Sequence, residues 1–202
     1  MQYKKDEVKE KIDFAALEVF AEKGYTGTKI ADIAEKAGVS IGNIYRYYKS
    51  KEEIFYTNIP ESFPEELKKL LKDKIVSSKH VNLQERETFD EFWLVNEEVI
   101  TFMVKKRLQI LIVLHKGKGT RYENTKEELV DFLLEEVKSS DLQQGGHFCY
   151  GKEGSLLLKI LYENLIDMTL RIIENTRSIE ETRQCLQWMN RYHLFGITKL
   201  FQ

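Results

Sequence analysis

The chain has 202 residues, with 42% hydrophobic and 32% charged residues and a formal net charge of −2. Two prolines, eleven glycines and two cysteines argue for a helix-rich globular protein and against a disulfide scaffold or a low-complexity chain. No apolar run reaches the roughly 18 residues that a membrane-spanning helix needs, and the charged first residues lack a signal-peptide core. The expectation is an all-α, cytoplasmic protein.

In chain order, Val8, Ile12, Ala15, Ala16, Val19 and Phe20 recur at helical spacing over residues 4–23, and Gly24 suits a left-handed cap. Thr28 is the predicted N-cap of a second helix over 29–37, which Gly38 ends. Ser40 is the predicted cap of a short third helix reaching about residue 47. Ser50 opens a fourth with a capping box, its hydroxyl accepting from the Glu53 amide while Glu53 reaches back to Ser50. That helix must bend or break near Pro60 and Pro64. A long helical pattern covers 86–114 and is broken by "HKGKGT" at 115–120. A further helix starts at the Thr125 to Glu128 capping box. After a polar, glycine-containing loop, two final helices span about 152–175 and 178–201, the second opened by Ser178 and Glu181.

Three short helices before residue 48, with a glycine at the second turn, predict a helix-turn-helix. Ala34 lies four residues before Gly38, where the helices must pass closely. Ile30, Ile33, Val39 and Ile44 supply the apolar contacts that fix their crossing, and Tyr48 is spaced to point inward. The third helix would enter the major groove by its first residues, Ser40, Ile41, Gly42 and Asn43. Gly42 costs that helix about 1 kcal/mol relative to alanine, which is reasonable if backbone must approach DNA closely. Asn43 can pair with adenine N6 and N7. Tyr45 and Tyr47 carry hydroxyls suited to phosphate, and Lys51 brings a charge to the start of the next helix. The same aromatic cluster also fits half-buried packing.

The segment "GYTGTKIADIAEKAGVSIGNIYRYYKSKEEIF" resembles the N-terminal signature of the TetR family of bacterial transcriptional regulators. The resemblance runs from about Val8 to Phe55 and is carried by Phe20, Gly24, Tyr25, Thr28, "DIAEKAGVS", Tyr45, the aromatic pair at 47–48 and Lys51. It implies DNA contacts from Thr28, Ser40, Gly42, Asn43, Tyr45, Tyr47 and Lys51. There are two departures. Position 47 is often histidine in the family, where Tyr47 can still donate to phosphate. A second hydroxyl residue commonly follows the threonine, where Lys29 offers a charge instead. The resemblance further implies a DNA-binding domain over 1–49 and a larger helical domain over 50–202, with 50–70 connecting them. That second domain would dimerise and bind a small-molecule effector.

The final helices carry more apolar residues than one stripe needs, including Leu156, Leu157, Ile160, Met168, Trp188 and Tyr192. One side can face the domain's own core and the other a second copy, giving a four-helix homodimer interface. Phe89, Trp93, Phe102, Met103, Leu111, His115, Tyr122 and Tyr162 are candidate effector-pocket residues, although the same residues suit plain core. No cofactor or metal is expected. "GKGT" lacks the first glycine and the preceding strand of a phosphate-binding loop, and His147 with Cys149 is too small a set for a metal site. No local nucleophile, base and orienting acid form a catalytic signature. The expectation is therefore a DNA-binding repressor released from an inverted-repeat operator by an effector, and no enzyme. The alternatives are a helical-bundle enzyme acting on a small apolar substrate and a helical adaptor that does not bind DNA.

Overall fold

The structure, a computed structural model, describes residues 2–77, 97–143 and 151–200. Every regular element among them is a helix, as the composition and periodicity predict. They are α1 (Gln2–Gly27), α2 (Ile30–Ala37), α3 (Ile41–Ile44), α4 (Lys51–Asn58), α5 (Phe63–Ser77), α6 (Glu97–Lys105), α7 (Arg107–His115), α8 (Thr125–Gln143), α9 (Lys152–Asn175) and α10 (Ile179–Leu200). Phe89, Trp93, His147 and Cys149 lie outside the described residues. The chain forms two compact units. One is Met1–Pro64 with Leu108–Lys126, and the other is Glu65–Arg107 with Glu127–Gln202.

The first unit is organised around apolar side chains of its short helices. Ile12, Ala16 and Phe20 of α1, Ile33 of α2, Ile44 of α3, and Ile54 and Phe55 of α4 are wholly buried. Each large side chain removed from water contributes roughly 1.5–3 kcal/mol. Phe55 is the hub of the aromatic packing: its ring lies 5.0 Å from Phe20 and 5.0 Å from Tyr25, edge to face in both cases. The α1 backbone leaves helical geometry at Gly24, where φ is 71° and ψ is 169°. The positive φ matches the expected glycine role, but ψ is extended rather than left-handed helical. Between α4 and α5 the chain breaks at residues 59–62, and Pro64 sits in the first turn of α5, where a missing N–H costs little. The helix opened by Ser50 thus ends at Asn58, and the second half of the expected 50–70 connector is a separate helix.

Residues 108–126 join this first unit through Tyr122. Its hydroxyl donates to the Ile59 carbonyl at 2.9 Å, and its ring lies 6.1 Å from Phe55 and 6.0 Å from Tyr56. The Arg121 guanidinium lies 4.2 Å from the centre of the Tyr56 ring and pairs with Glu61 at 3.0 Å. Gly119 has φ of 78°, and a Cβ placed there would lie 2.7 Å from Thr26 Cγ2. The "HKGKGT" break is therefore a close-packed turn rather than a phosphate cradle.

The expected long helix over 86–114, of which 86–96 lie outside the described residues, is interrupted at Lys106, between α6 and α7. Arg107 caps the end of α9 by donating to the Thr176 carbonyl at 2.9 Å and the Glu174 carbonyl at 2.7 Å, a cation placed at a helix C-terminus. Arg183 of α10 forms a two-pronged pair with Glu97 of α6, at 2.8 and 2.9 Å. The capping box opening α10 is reciprocal: the Glu181 amide donates to Ser178 Oγ at 3.1 Å, and the Ser178 amide donates to Glu181 at 3.3 Å. Leu158, Tyr162, Leu165 and Ile173 of α9 and Leu186 and Met189 of α10 are buried. By contrast Leu156, Ile160, Met168, Trp188 and Tyr192 are exposed.

Candidate nucleic-acid interface

The turn between α2 and α3 forms as the sequence predicts. Gly38 has φ of 67° and ψ of 33°, its amide donates to the Glu35 carbonyl at 3.1 Å, and the Val39 amide donates to Ala34 at 3.0 Å. This pair of bonds is a Schellman cap, and the left-handed residue inside it favours glycine. Ser40 then caps α3, accepting from the Asn43 amide at 3.2 Å. Ile44 anchors α3 in the core while the helix's first turn faces outward.

The outward surface carries most of the residues selected from the sequence. Lys29, Ser40 and Gly42 are exposed, Ile41 and Tyr45 are 45% and 55% exposed, and Asn43 and Tyr47 are half-buried. A Cβ at Gly42 would meet nothing nearer than Ser40 Oγ at 4.0 Å. Internal packing therefore gives no reason for glycine there. Arg46 and Lys49, not among the selected residues, are exposed beside Tyr45 and add basic groups to the same short segment. Only their charge, visible in "YRYYKSK", marks them in the sequence.

Two selected residues are turned to other work. Thr28 is 2% exposed, and its hydroxyl donates to the Gly24 carbonyl at 2.7 Å. It neither caps α2 nor presents its side chain to solvent. The N-cap is Lys29, whose amide donates to Asp32 at 2.8 Å. Lys51 Nζ donates to the Tyr25 and Thr28 carbonyls at 2.8 and 2.9 Å and lies 4.3 Å from the centre of the Tyr25 ring. Its charge neutralises carbonyls left open where α1 ends. Ser50 caps α4 as expected, accepting from Glu53 at 3.1 Å, but Glu53 takes the Lys49 amide at 2.6 Å rather than that of Ser50.

Residues 14–56 match the profile described as "Bacterial regulatory proteins, tetR family". The helix-turn-helix is that of the TetR family. The chain is 37% identical over 94 residues to the fatty acid metabolism regulator protein of Bacillus subtilis, a match covering 41% of this chain and 48% of that one. It is 36% identical over 56 residues to IcaR of Staphylococcus epidermidis, the negative transcriptional regulator of the biofilm operon icaADBC, covering 28% of this chain and 30% of that one. These two matches span about half the length of the relative or less. A solved Clostridium perfringens protein shares the fold with a TM-score of 0.50 and 24% identity, covering 92% of this chain and 97% of that one.

The candidate effector residues separate between the two units. Leu111, His115 and Tyr122 belong to the first, where Leu111 and Tyr122 are buried and His115 is exposed. Phe102, Met103 and Tyr162 belong to the second. There Tyr162 meets His193 edge to face at 5.5 Å. His193 is 8% exposed, its Nε2 has no hydrogen-bond partner, and burial pushes its pKa down to about 4. It holds a polar position that the apolar pattern of α10 gave no reason to select. Among the described residues no three metal-ligating side chains converge, and no helix is long and apolar enough to cross a membrane.

Proposed function

We propose that the protein is a sequence-specific, homodimeric transcriptional regulator, a repressor released from an inverted-repeat operator by a mostly apolar small molecule. The observation that carries this reading is the first turn of α3. Exposed Ser40, Ile41 and Gly42 and half-buried Asn43 stand on a helix fixed from behind by Ile44, inside the segment that matches the TetR profile. In this reading Asn43 reads a base edge. Lys29, Arg46, Lys49, Tyr45 and Tyr47 hold phosphates, and the backbone at Gly42 comes close to the duplex. Thr28 and Lys51 act indirectly, by bracing the end of α1. Residues 1–49 serve as the reading head, and the rest supplies dimerisation and effector response.

Homodimerisation is supported by the exposed apolar residues of α9 and α10, among them Leu156 at 62%, Trp188 at 61% and Tyr192 at 72% exposed. Two copies packed through these helices would present two α3 helices to half-sites about one helical turn apart, or a multiple of it. Effector binding need only favour a dimer shape that spans the half-sites badly, and about 1.4 kcal/mol of preference changes occupancy tenfold. The Bacillus subtilis relative is a regulator of fatty acid metabolism, which makes fatty acids the first effectors to assay.

The test separates reading from holding. Asn43→Ala should erode discrimination between operator and random duplex by about 1–3 kcal/mol. Lys29→Ala should weaken both duplexes alike and reduce the salt slope by about 1. Equal effects of both changes on both duplexes would remove Asn43 from base reading.

A further inference from the structure

A single carboxylate behind the reading head collects donors from three parts of the chain. Asp13, on α1, accepts the Tyr48 hydroxyl on Oδ1. Oδ2 takes Lys9 Nζ at 2.8 Å, one turn back on the same helix. Asn58, the last residue of α4, brings Nδ2 to within 3.4 Å of Oδ1 while also donating to the Ile54 carbonyl at 2.8 Å. Lys9 Nζ completes the cluster 5.2 Å from the centre of the Tyr48 ring. Tyr48 is 3% exposed. Its amide donates to the Ile44 carbonyl at 3.0 Å, so the ring is tied by backbone to the end of α3. Burial, reinforced by Asp13, pushes the phenol up to about 12, so the hydroxyl is a donor across the physiological range.

Ile44 and the other buried apolar side chains set how α3 packs, but apolar attraction is itself non-directional. Hydrogen bonds to a charged acceptor are directional and worth more than neutral ones. Here they join the exit of α3 to α1 and to the far end of α4. We propose that Asp13 is a positioning residue for DNA reading, holding the Tyr48 hydroxyl and the Asn58 amide together so that α3 keeps one pose against α1 and α4. Asp13 touches no DNA in this scheme. It acts through Tyr48, and the inference rests on the DNA-binding reading above.

The test compares the full-length wild type with Tyr48→Phe, Asp13→Ala and Asp13→Asn. The probes are an operator duplex selected from fragmented genomic DNA and a random duplex of equal length. Tyr48→Phe keeps the ring and removes the donor. It should weaken operator binding roughly tenfold, with random-duplex affinity and salt slope unchanged, because no phosphate-facing group is altered. Asp13→Ala should do the same. Asp13→Asn, which retains an acceptor for the Tyr48 hydroxyl, should recover part of the loss. Should Tyr48→Phe fail to fold by circular dichroism, Asn58→Ala carries the same comparison. Folded variants that lose melting temperature but keep the wild-type ratio of operator to random affinity would overturn the proposal and leave Asp13 a stabilising residue only. A wild type that itself shows no operator preference would overturn the DNA-reading assignment, and this inference with it.

Discussion

His193 makes the second unit sensitive to acid in a way that can be worked out from its surroundings. The ring is 8% exposed, faces Tyr162 at 5.5 Å and leaves Nε2 without a partner. Charging it in place would bury an uncompensated cation, and its folded pKa accordingly falls to about 4, against an ordinary value of 6.5. The unfolded chain therefore binds this proton more tightly than the folded one. The stability at stake is fully present above pH 6.5 and is lost progressively as the pH falls toward 4. Between pH 7.5 and pH 5.0, linkage at about 1.36 kcal/mol per pH unit gives a loss of about 2 kcal/mol from this residue alone. Replacing His193 by leucine removes the titrating group while keeping a side chain of similar bulk. Urea unfolding of both proteins at the two pH values cancels the contributions of groups the two proteins share. Wild type should lose about 2 kcal/mol more than His193→Leu on acidification. Parallel losses, or an NMR titration placing His193 near 6.5, would show that burial does not hold this imidazole uncharged in the folded protein.

Three further outcomes follow from particular contacts. Gly119→Ala combines a φ of 78° with a Cβ 2.7 Å from Thr26 Cγ2, and should destabilise the first unit by about 1–3 kcal/mol in thermal unfolding. Tyr122→Phe removes the donor to the buried Ile59 carbonyl and should cost about 1–3 kcal/mol in denaturant unfolding, with the helical content of the folded protein unchanged. Trp188→Glu combined with Tyr192→Glu should shift the protein from dimer to monomer in sedimentation equilibrium while leaving its circular dichroism intact; an unaltered dimer would move the interface elsewhere.

Features written in neighbouring residues were legible in the sequence. Ser40, Ser50 and Ser178 cap their helices because a cap needs only an amide three residues on, and Gly38 ends α2 because its backbone alone can turn cheaply there. Contacts across the chain were not. Thr28 has the right chemistry for an N-cap, but burial turns its hydroxyl back to Gly24. The break at Lys106 has no glycine or proline to announce it. Lys51 reads as an anion-binding charge until its ammonium is found on the carbonyls of residues 25 and 28. Asp13 and Tyr48 are 35 positions apart, and neither suggests the other. The exposed face of α3 was legible because its pattern is local; the braces behind it depend on tertiary packing that one sequence does not spell out.

Whether two copies of α3 read one operator can be decided by selecting bound fragments from genomic DNA and footprinting the protein on them. A protected site with approximate twofold symmetry is expected, its half-sites about one helical turn apart or a multiple of it, filled cooperatively by two chains. A protected site without a dyad, or saturable and equally specific binding by a single chain, would contradict reading by two copies.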